Sequence, residues 1–172
     1  MFYIEGLRAG VLTPQDSVML QRLFERASSH FEQVWGHPPR AEEGEAIFVE
    51  RPPGTAPEQV VNLGLCDTAD ALVGVLSFVR GYPDPTTWFI GLLLFDPCAQ
   101  SQGYGASVVE AFCAHAWESG ATRLRLAVGL NNDGARRFWV RNGFHFVRKA
   151  ETVGEQSGVP VEVYERHRAA TV

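Results

Sequence analysis

One uninterrupted apolar run constrains this chain most: Trp88-Phe89-Ile90-Gly91-Leu92-Leu93-Leu94-Phe95, closed by Asp96-Pro97. A strand with one wet face alternates apolar and polar residues. A run without alternation needs cover on both faces, so this segment belongs near the centre of a sheet, with Gly91 marking a bulge or a close ligand approach. It leads into Gln100-Ser101-Gln102-Gly103-Tyr104-Gly105-Ala106. Beyond that, Val108, Val109, Phe112, Cys113, Ala116 and Trp117 recur at intervals of three and four, with Gly120 as the stop. The order is strand, glycine loop, helix. Gly103 and Gly105 let backbone amides approach a ligand, and the first helical turn offers unpaired N–H groups at the positive end of a dipole. Such a stretch suits an anion such as a pyrophosphate, the competing reading being glycines that only turn the chain. The Gly-Lys-Ser/Thr ending of a triphosphate loop is missing, and Val108 stands where a dinucleotide fingerprint has its third glycine. A nucleotide triphosphatase or an NAD enzyme is therefore disfavoured.

The rest of the chain reads as a frame for that unit. Phe2 to Arg8 reads as an opening strand. Thr13-Pro14-Gln15-Asp16 reads as a turn and cap before a helix carrying Val18, Leu20, Leu23, Phe24 and Ala27, and a second short helix spans Ser29 to Trp35. From Gly36 to Gln59 the prolines 38, 39, 52, 53 and 57 indicate a long surface excursion, with Glu42, Glu43 and Glu45 on its one helix-compatible stretch. Val60 to Cys66, Ala71 to Arg80 and Thr86 to Phe95 are strand-like with short polar or Pro-rich links, which implies an antiparallel meander. Arg123 to Leu130 alternates, with Leu124, Leu126, Val128 and Leu130 on one face, so the glycine loop and its helix sit inside a βαβ unit with parallel strands. Asn131-Asn132-Asp133 caps a further helix bearing Ala135, Phe138 and Trp139 and closed by Asn142-Gly143. Phe144 to Val153 and Val159 to Arg166 form a last strand pair joined through Gly154 to Gly158. The expectation is an α/β chain with an α+β mixed sheet, residues 1–172 forming a single domain.

Composition removes several classes of function. A net charge of -5 leaves no general basic surface, so no nucleic acid partner is expected. Cys66, Cys98 and Cys113 form no C-x-x-C pair, and the histidines 30, 37, 115, 145 and 167 stand at no ligand spacing beside them, which points to a reducing cytoplasm and to no metal. The N-terminus lacks a signal-peptide pattern and no apolar run approaches the roughly 20 residues of a bilayer span, so no membrane partner and a cytoplasmic location are expected. The edges of the final strand pair leave monomer or homodimer open.

Two motifs stand at a definite separation: Q-x-x-G-x-G/A from Gln100 to Gly105, and N-x-x-A-x-x-F-W-x-x-x-G-F from Asn132 to Phe144. Together, and in this order of elements, they resemble the GCN5-related N-acetyltransferase (GNAT) superfamily, sharply from Phe95 to Phe144 and more loosely from the first strand to the last. The resemblance implies a mixed sheet splayed between its fourth and fifth strands, here Thr86 to Phe95 and Arg123 to Leu130, with acetyl-CoA held in the opening as co-substrate. It implies that the amides of Gln100, Ser101, Gln102, Gly103, Tyr104, Gly105 and Ala106 hold the pyrophosphate. The pantetheine arm would run along Leu93, Leu94 and Phe95, Asn132 would hydrogen-bond it, Phe138 and Trp139 would line the acyl end, and Ala135 would join the cofactor-binding residues. Transfer of acetyl to a primary amine of a small molecule or peptide then needs a backbone N–H for the developing oxyanion, implied in the Leu93 to Phe95 region, a proton acceptor for the amine, and a donor to the leaving sulfur.

The chain departs from the family's commonest pattern in two places. Trp139 stands where a tyrosine general acid is usual, and an indole N–H donates a hydrogen bond but does not titrate usefully. Trp139 and Asn132 are the candidate catalytic residues, with core packing the competing role for Trp139. Tyr104 and Tyr164 are substitute acids that nothing singles out. The central strand carries no ionisable side chain, which leaves Asp84, Glu45, Glu32 and His115, or bulk water, as the proton acceptor. Glu42, Glu43, Glu45 and Asp84 would favour a cationic amine if they face the cleft, and Arg136, Arg137 and Arg141 would meet either coenzyme phosphates or solvent. Two further readings stay open: an acyl-CoA-binding sensor or regulatory module without turnover, and a structural domain in which the glycine loop only turns the chain.

Overall fold

In the computed structural model, which describes residues 4, 6–153 and 158–169, seven strands form one mixed sheet. They are β1 (Arg8–Val11), β2 (Val60–Cys66), β3 (Leu72–Arg80), β4 (Thr87–Phe95), β5 (Arg123–Gly129), β6 (His145–Glu151) and β7 (Pro160–His167), in the spatial order β1-β2-β3-β4-β5-β7-β6. Among the described residues there are five α-helices: α1 (Ser17–Arg26), α2 (Ser28–Trp35), α3 (Glu43–Val49), α4 (Tyr104–Glu118) and α5 (Asp133–Arg141). The meander β2 to β4 is antiparallel, and β4 and β5 are parallel across the α4 crossover, as the sequence implied; β1 adds to β2, also antiparallel.

The apolar run of β4 is explained by a bulge at Gly91. Ser77 of β3 faces Leu92 while Phe78 faces Ile90, so Gly91 has no partner and the alternation of β4 reverses there. Trp88 and Ile90 join Phe78, Leu124, Leu126 and Phe112 in a core beneath α4. Beyond the bulge Leu94 turns to the other face, into a core with Val75 and with Leu20, Leu23 and Phe24 of α1. A single strand thus serves two cores, which is why no polar side chain stands in it from Trp88 to Phe95.

The pairing of β4 with β5 is short. It runs from Thr87 opposite Arg123 to Ile90 opposite Leu126 and stops, whereas β5 stays paired with β7 through Gly129. From Leu92 to Phe95, β4 is paired only with β3, and the sheet opens on the β5 side.

Four expectations need correction. The opening strand is Arg8–Val11, not Phe2 to Arg8; Phe2, Tyr3 and Glu5 lie outside the described residues, and Ile4 forms an isolated bridge with Leu7. Val18 does not share the buried stripe of α1 and is 64% exposed, because that stripe is carried by Leu20, Leu23 and Phe24. Leu130 falls just past the end of β5, at the surface. The excursion from Gly36 to Gln59 is anchored rather than merely solvated: the Gly44 N–H donates to Gln21 Oε1 at 2.8 Å, Gln21 Nε2 donates to the Arg40 carbonyl at 2.9 Å, and Asn62 Nδ2 donates to the Ile47 carbonyl at 3.1 Å. Within the last link, Gly154 to Gln156 and Ser157 lie outside the described residues.

Candidate functional site

The parted strands open a groove of about 1710 Å³ that runs from the N-terminus of α4 across β4 and β5 to α2 and the segment after α3. At one end stands the glycine loop. Gly103 caps α4 with φ 83°, a left-handed conformation that favours glycine, and Ser101 just before it also has positive φ, 62°. The first helical bond is donated by Ser107 N–H to the Gly103 carbonyl at 3.3 Å. The N–H groups of Tyr104, Gly105 and Ala106 therefore have no partner within the helix, no side chain caps them, and no acidic residue stands in the first turn.

The loop is held to the end of β4 by its own glutamines: Gln100 Nε2 donates to the Phe95 carbonyl at 3.1 Å, and Gln102 Nε2 to the Cys98 carbonyl at 3.0 Å. Asp96 accepts from Cys98 N–H at 3.0 Å and is ion-paired with Arg26 of α1. The Arg26 guanidinium holds the Asp96 carboxyl below its ordinary range, so the charge that fixes the loop's entry persists at neutral pH.

The α5 side supplies the facing wall. Asn132 Oδ1 accepts from Ala135 N–H at 3.0 Å, capping the helix, while its Nδ2 has no acceptor among the described residues. Trp139 is 7% exposed and sits edge-on to Phe138 at 5.0 Å and to Phe144 at 5.1 Å. Its indole N–H has no acceptor among the described residues, yet it is not one of their sealed unpaired atoms. A packing role and a place in the groove's lining thus coexist in one side chain. Phe95 stacks on Tyr104 at 6.3 Å and joins the two ends of the wall.

Leu93, Leu94, Phe95, Gln100, Ser101, Gly103, Tyr104, Gly105, Ala106, Asn132, Ala135, Phe138 and Trp139 all line this one groove; Gln102 does not. Arg141 lines it as well, Arg137 does not, and Arg136 is occupied by Asp133 and by Glu162 at 3.3 Å.

The proton-acceptor candidates fare differently. Asp84 is consumed by its own turn, accepting from Thr87 Oγ1 at 2.8 Å and Thr86 Oγ1 at 2.9 Å, which lowers its pKa. His115 packs edge-on to Trp88 at 5.9 Å beneath the sheet, away from the groove. Glu32 and Glu45 do not line the groove either. Tyr164 donates to Glu162 at 2.9 Å and is likewise elsewhere.

A titratable side chain missed by the sequence reading is His30 of α2, which lines the groove and whose imidazole is pushed down by burial, hence neutral at pH 7. Its neighbour Phe31 belongs to the α1 core and packs edge-on to it at 5.5 Å, so the only sequence signal was a histidine beside a buried aromatic. Gln33 of the same helix reaches over to the carbonyl of Asn131 at 3.3 Å, bringing α2 against the start of α5.

Against known proteins, the model of the acetyltransferase (GNAT) family matches residues 20–144. The chain belongs to that family. Among solved structures, an acetyltransferase from Thermus thermophilus is 25% identical over 98% of this chain and 100% of its own, with a TM-score of 0.79. A probable acetyltransferase from Chromobacterium violaceum is 19% identical over 96% of this chain and 85% of its own, TM-score 0.77. The aminoglycoside acetyltransferase AAC(6')-Ib, solved in complex with coenzyme A, is 19% identical over 94% of this chain and 95% of its own, TM-score 0.72. No curated protein matches the chain by sequence.

Proposed function

We propose that this chain is an acetyl-CoA-dependent N-acetyltransferase acting on a primary amine of a small molecule or peptide, folded as one domain. The observation that carries the reading is the parting of β4 from β5 after Ile90 and Leu126, directly over an α4 N-terminus whose first N–H groups are unclaimed. The residues fit the coenzyme: free amides and a dipole end for the pyrophosphate, unpaired β4 backbone for an amide-bearing arm, and an apolar wall of Phe95, Phe138 and Trp139 for the acyl end. The bound thioester supplies an activated acyl carbonyl.

The chain supplies the rest. The β5-facing N–H groups between Leu93 and Phe95 meet the charge that develops on the carbonyl oxygen. The indole N–H of Trp139 stabilises the leaving sulfur without giving up a proton. His30, neutral and lining the groove, takes the proton of the ammonium directly or through water. Among the described residues no helix is long and apolar enough to cross a membrane and no metal-binding group is present, while Cys66, Cys98 and Cys113 are all free, which suits a reducing cytoplasm.

Thermal shift with acetyl-CoA, desulfo-CoA, ATP and NADH tests the cradle: stabilisation by the coenzyme A species alone is expected, and none by any of them removes it. Free-thiol release across polyamines, aminoglycosides, amino acids and N-terminal peptides tests turnover. Binding without release for every amine returns the chain to a sensor of acyl-CoA.

A further inference from the structure

The groove does not end at the acyl wall, and its second half has a character of its own. Because Trp88, Ile90, Leu124 and Leu126 face α4, the residues between them, Phe89 and Arg125, face the opposite side of the sheet, toward α2 and α3. There Phe89 meets Tyr82 edge-to-face at 5.9 Å, and both line the groove with Trp35, Val79 and Val49. Val49 is 66% exposed, an apolar side chain left at the mouth.

The charges on this side do not suit a polycation. Of the groove's carboxylates, Glu43 and Glu50 both hold Arg40, at 2.8 and 2.7 Å. Arg125 is held by Glu165. That leaves Glu151, at the rim, as the groove carboxylate with no cationic partner among the described residues, while Arg51 and Arg148 line the groove with no carboxylate partner among them. Glu42, Glu45 and Asp84 do not line it, so the acidic attraction that the sequence suggested is not built.

Resting on the acetyltransferase reading, we infer that the acceptor is a monoamine whose body is aromatic or branched apolar, taken up from the sheet face opposite α4. An amine must lose its proton before it attacks, so a monoamine leaves no charge behind in the groove. A polyamine carries further ammonium groups into apolar, arginine-lined surface, where their desolvation is not repaid by counter-charge. The aromatic pair and the mouth valine offer the monoamine's body a surface to cover in its place.

The test compares 2-phenylethylamine and 3-methylbutylamine with spermidine and kanamycin, product formation being followed by mass spectrometry. The monoamines are expected to exceed the polycations in kcat/KM by about tenfold or more, and parity or the reverse order overturns the inference. A binding arm separates its failure from that of the acetyltransferase reading: 2-phenylethylamine should raise the Tm of the coenzyme A complex and spermidine should not. That pattern without turnover of any amine would sink the enzyme and with it the acceptor role, leaving the groove's preference for apolar monoamines standing as a binding property. Stabilisation by spermidine alone, by both amines equally or by neither discards it. Val49→Glu, at an exposed position, adds the missing counter-charge and should narrow the preference by about tenfold relative to Val49→Ala; an unchanged ratio also counts against it.

Discussion

The ring of Phe138 lies directly on Gly105: a Cβ built on that glycine would meet Phe138 Cε2 at 3.0 Å and Cζ at 3.2 Å. The two sequence motifs therefore touch, and Gly105 is a glycine to admit an aromatic wall, whereas Gly103, with open space about it, is one for its positive φ. Gly105→Ala sets two effects against each other. Alanine is worth about 1 kcal/mol in a helix, but the half-buried ring must yield, and it yields toward the groove. The expected result is a Tm within about 3 °C of the parent, with coenzyme A bound about tenfold more weakly by calorimetry. Gly105→Ala with Phe138→Leu should recover most of that affinity. An unchanged Kd in the single variant would show that the ring's position does not govern binding.

Much of this arrangement was legible in the chain because it rests on local chemistry. The unalternating β4 run, the glycine loop and the Asn132 cap each encode their own backbone state, and the spacing of the two motifs brought them to one groove. What was not legible depended on contacts distant in sequence. The bulge at Gly91 was foreseeable, but its splitting of β4 between two cores depends on what packs above and below. Glu42, Glu43 and Glu45 read as charges that could draw a cationic amine if they faced the cleft, yet Glu43, with Glu50 just past α3, holds Arg40, and Glu42 and Glu45 do not line the groove. His30 gave no motif at all, since only the folding of α2 against the opened sheet sets it beside the groove.

Trp139 separates packing from chemistry when its N–H is removed and most of its ring kept. Trp139→Phe should stay folded, with KM for acetyl-CoA within about threefold, while kcat falls by about ten- to a hundredfold, the worth of a hydrogen bond to a charged group. Trp139→Tyr, which restores a donor, should recover part of that loss. Full turnover in the Phe variant, read by thiol release, would leave the indole a packing role only.

His30 links stability to pH in a stated direction. Burial lowers its pKa from 6.5, so between that depressed value and 6.5 the unfolded chain binds a proton that the folded chain does not. Stability is then complete above 6.5 and declines as the pH falls below it. His115 is lowered by burial as well and adds a slope of the same sign. Urea denaturation of His30→Gln should accordingly show a shallower, not flat, fall in stability between about pH 6.5 and 5.5. If His30 also takes the amine proton, the low-pH inflection in kcat/KM should vanish in the same variant. An identical stability slope in both proteins would mean that His30 is solvated in the folded state.

Gly44 tests whether α3 is a fixed wall of the acceptor side. A Cβ there would clash with the Ser17 carbonyl oxygen and stand 2.8 Å from the Gln21 nitrogen, both backbone atoms of α1, which cannot swing aside as a ring can. The gain in helix propensity is outweighed, since overpacking against backbone costs about 1–3 kcal/mol and α3 must lift away from α1 to relieve it. Lifting also strains the bond from Gly44 N–H to Gln21 Oε1 and moves Ile47, Val49 and Glu50, which line the groove. Gly44→Ala should lower Tm by about 2–12 °C and raise KM for the amine, while coenzyme A affinity, set at the far end by the α4 N-terminus, stays within about twofold. Equal loss of both affinities would mean that α3 supports the whole sheet rather than the acceptor side alone.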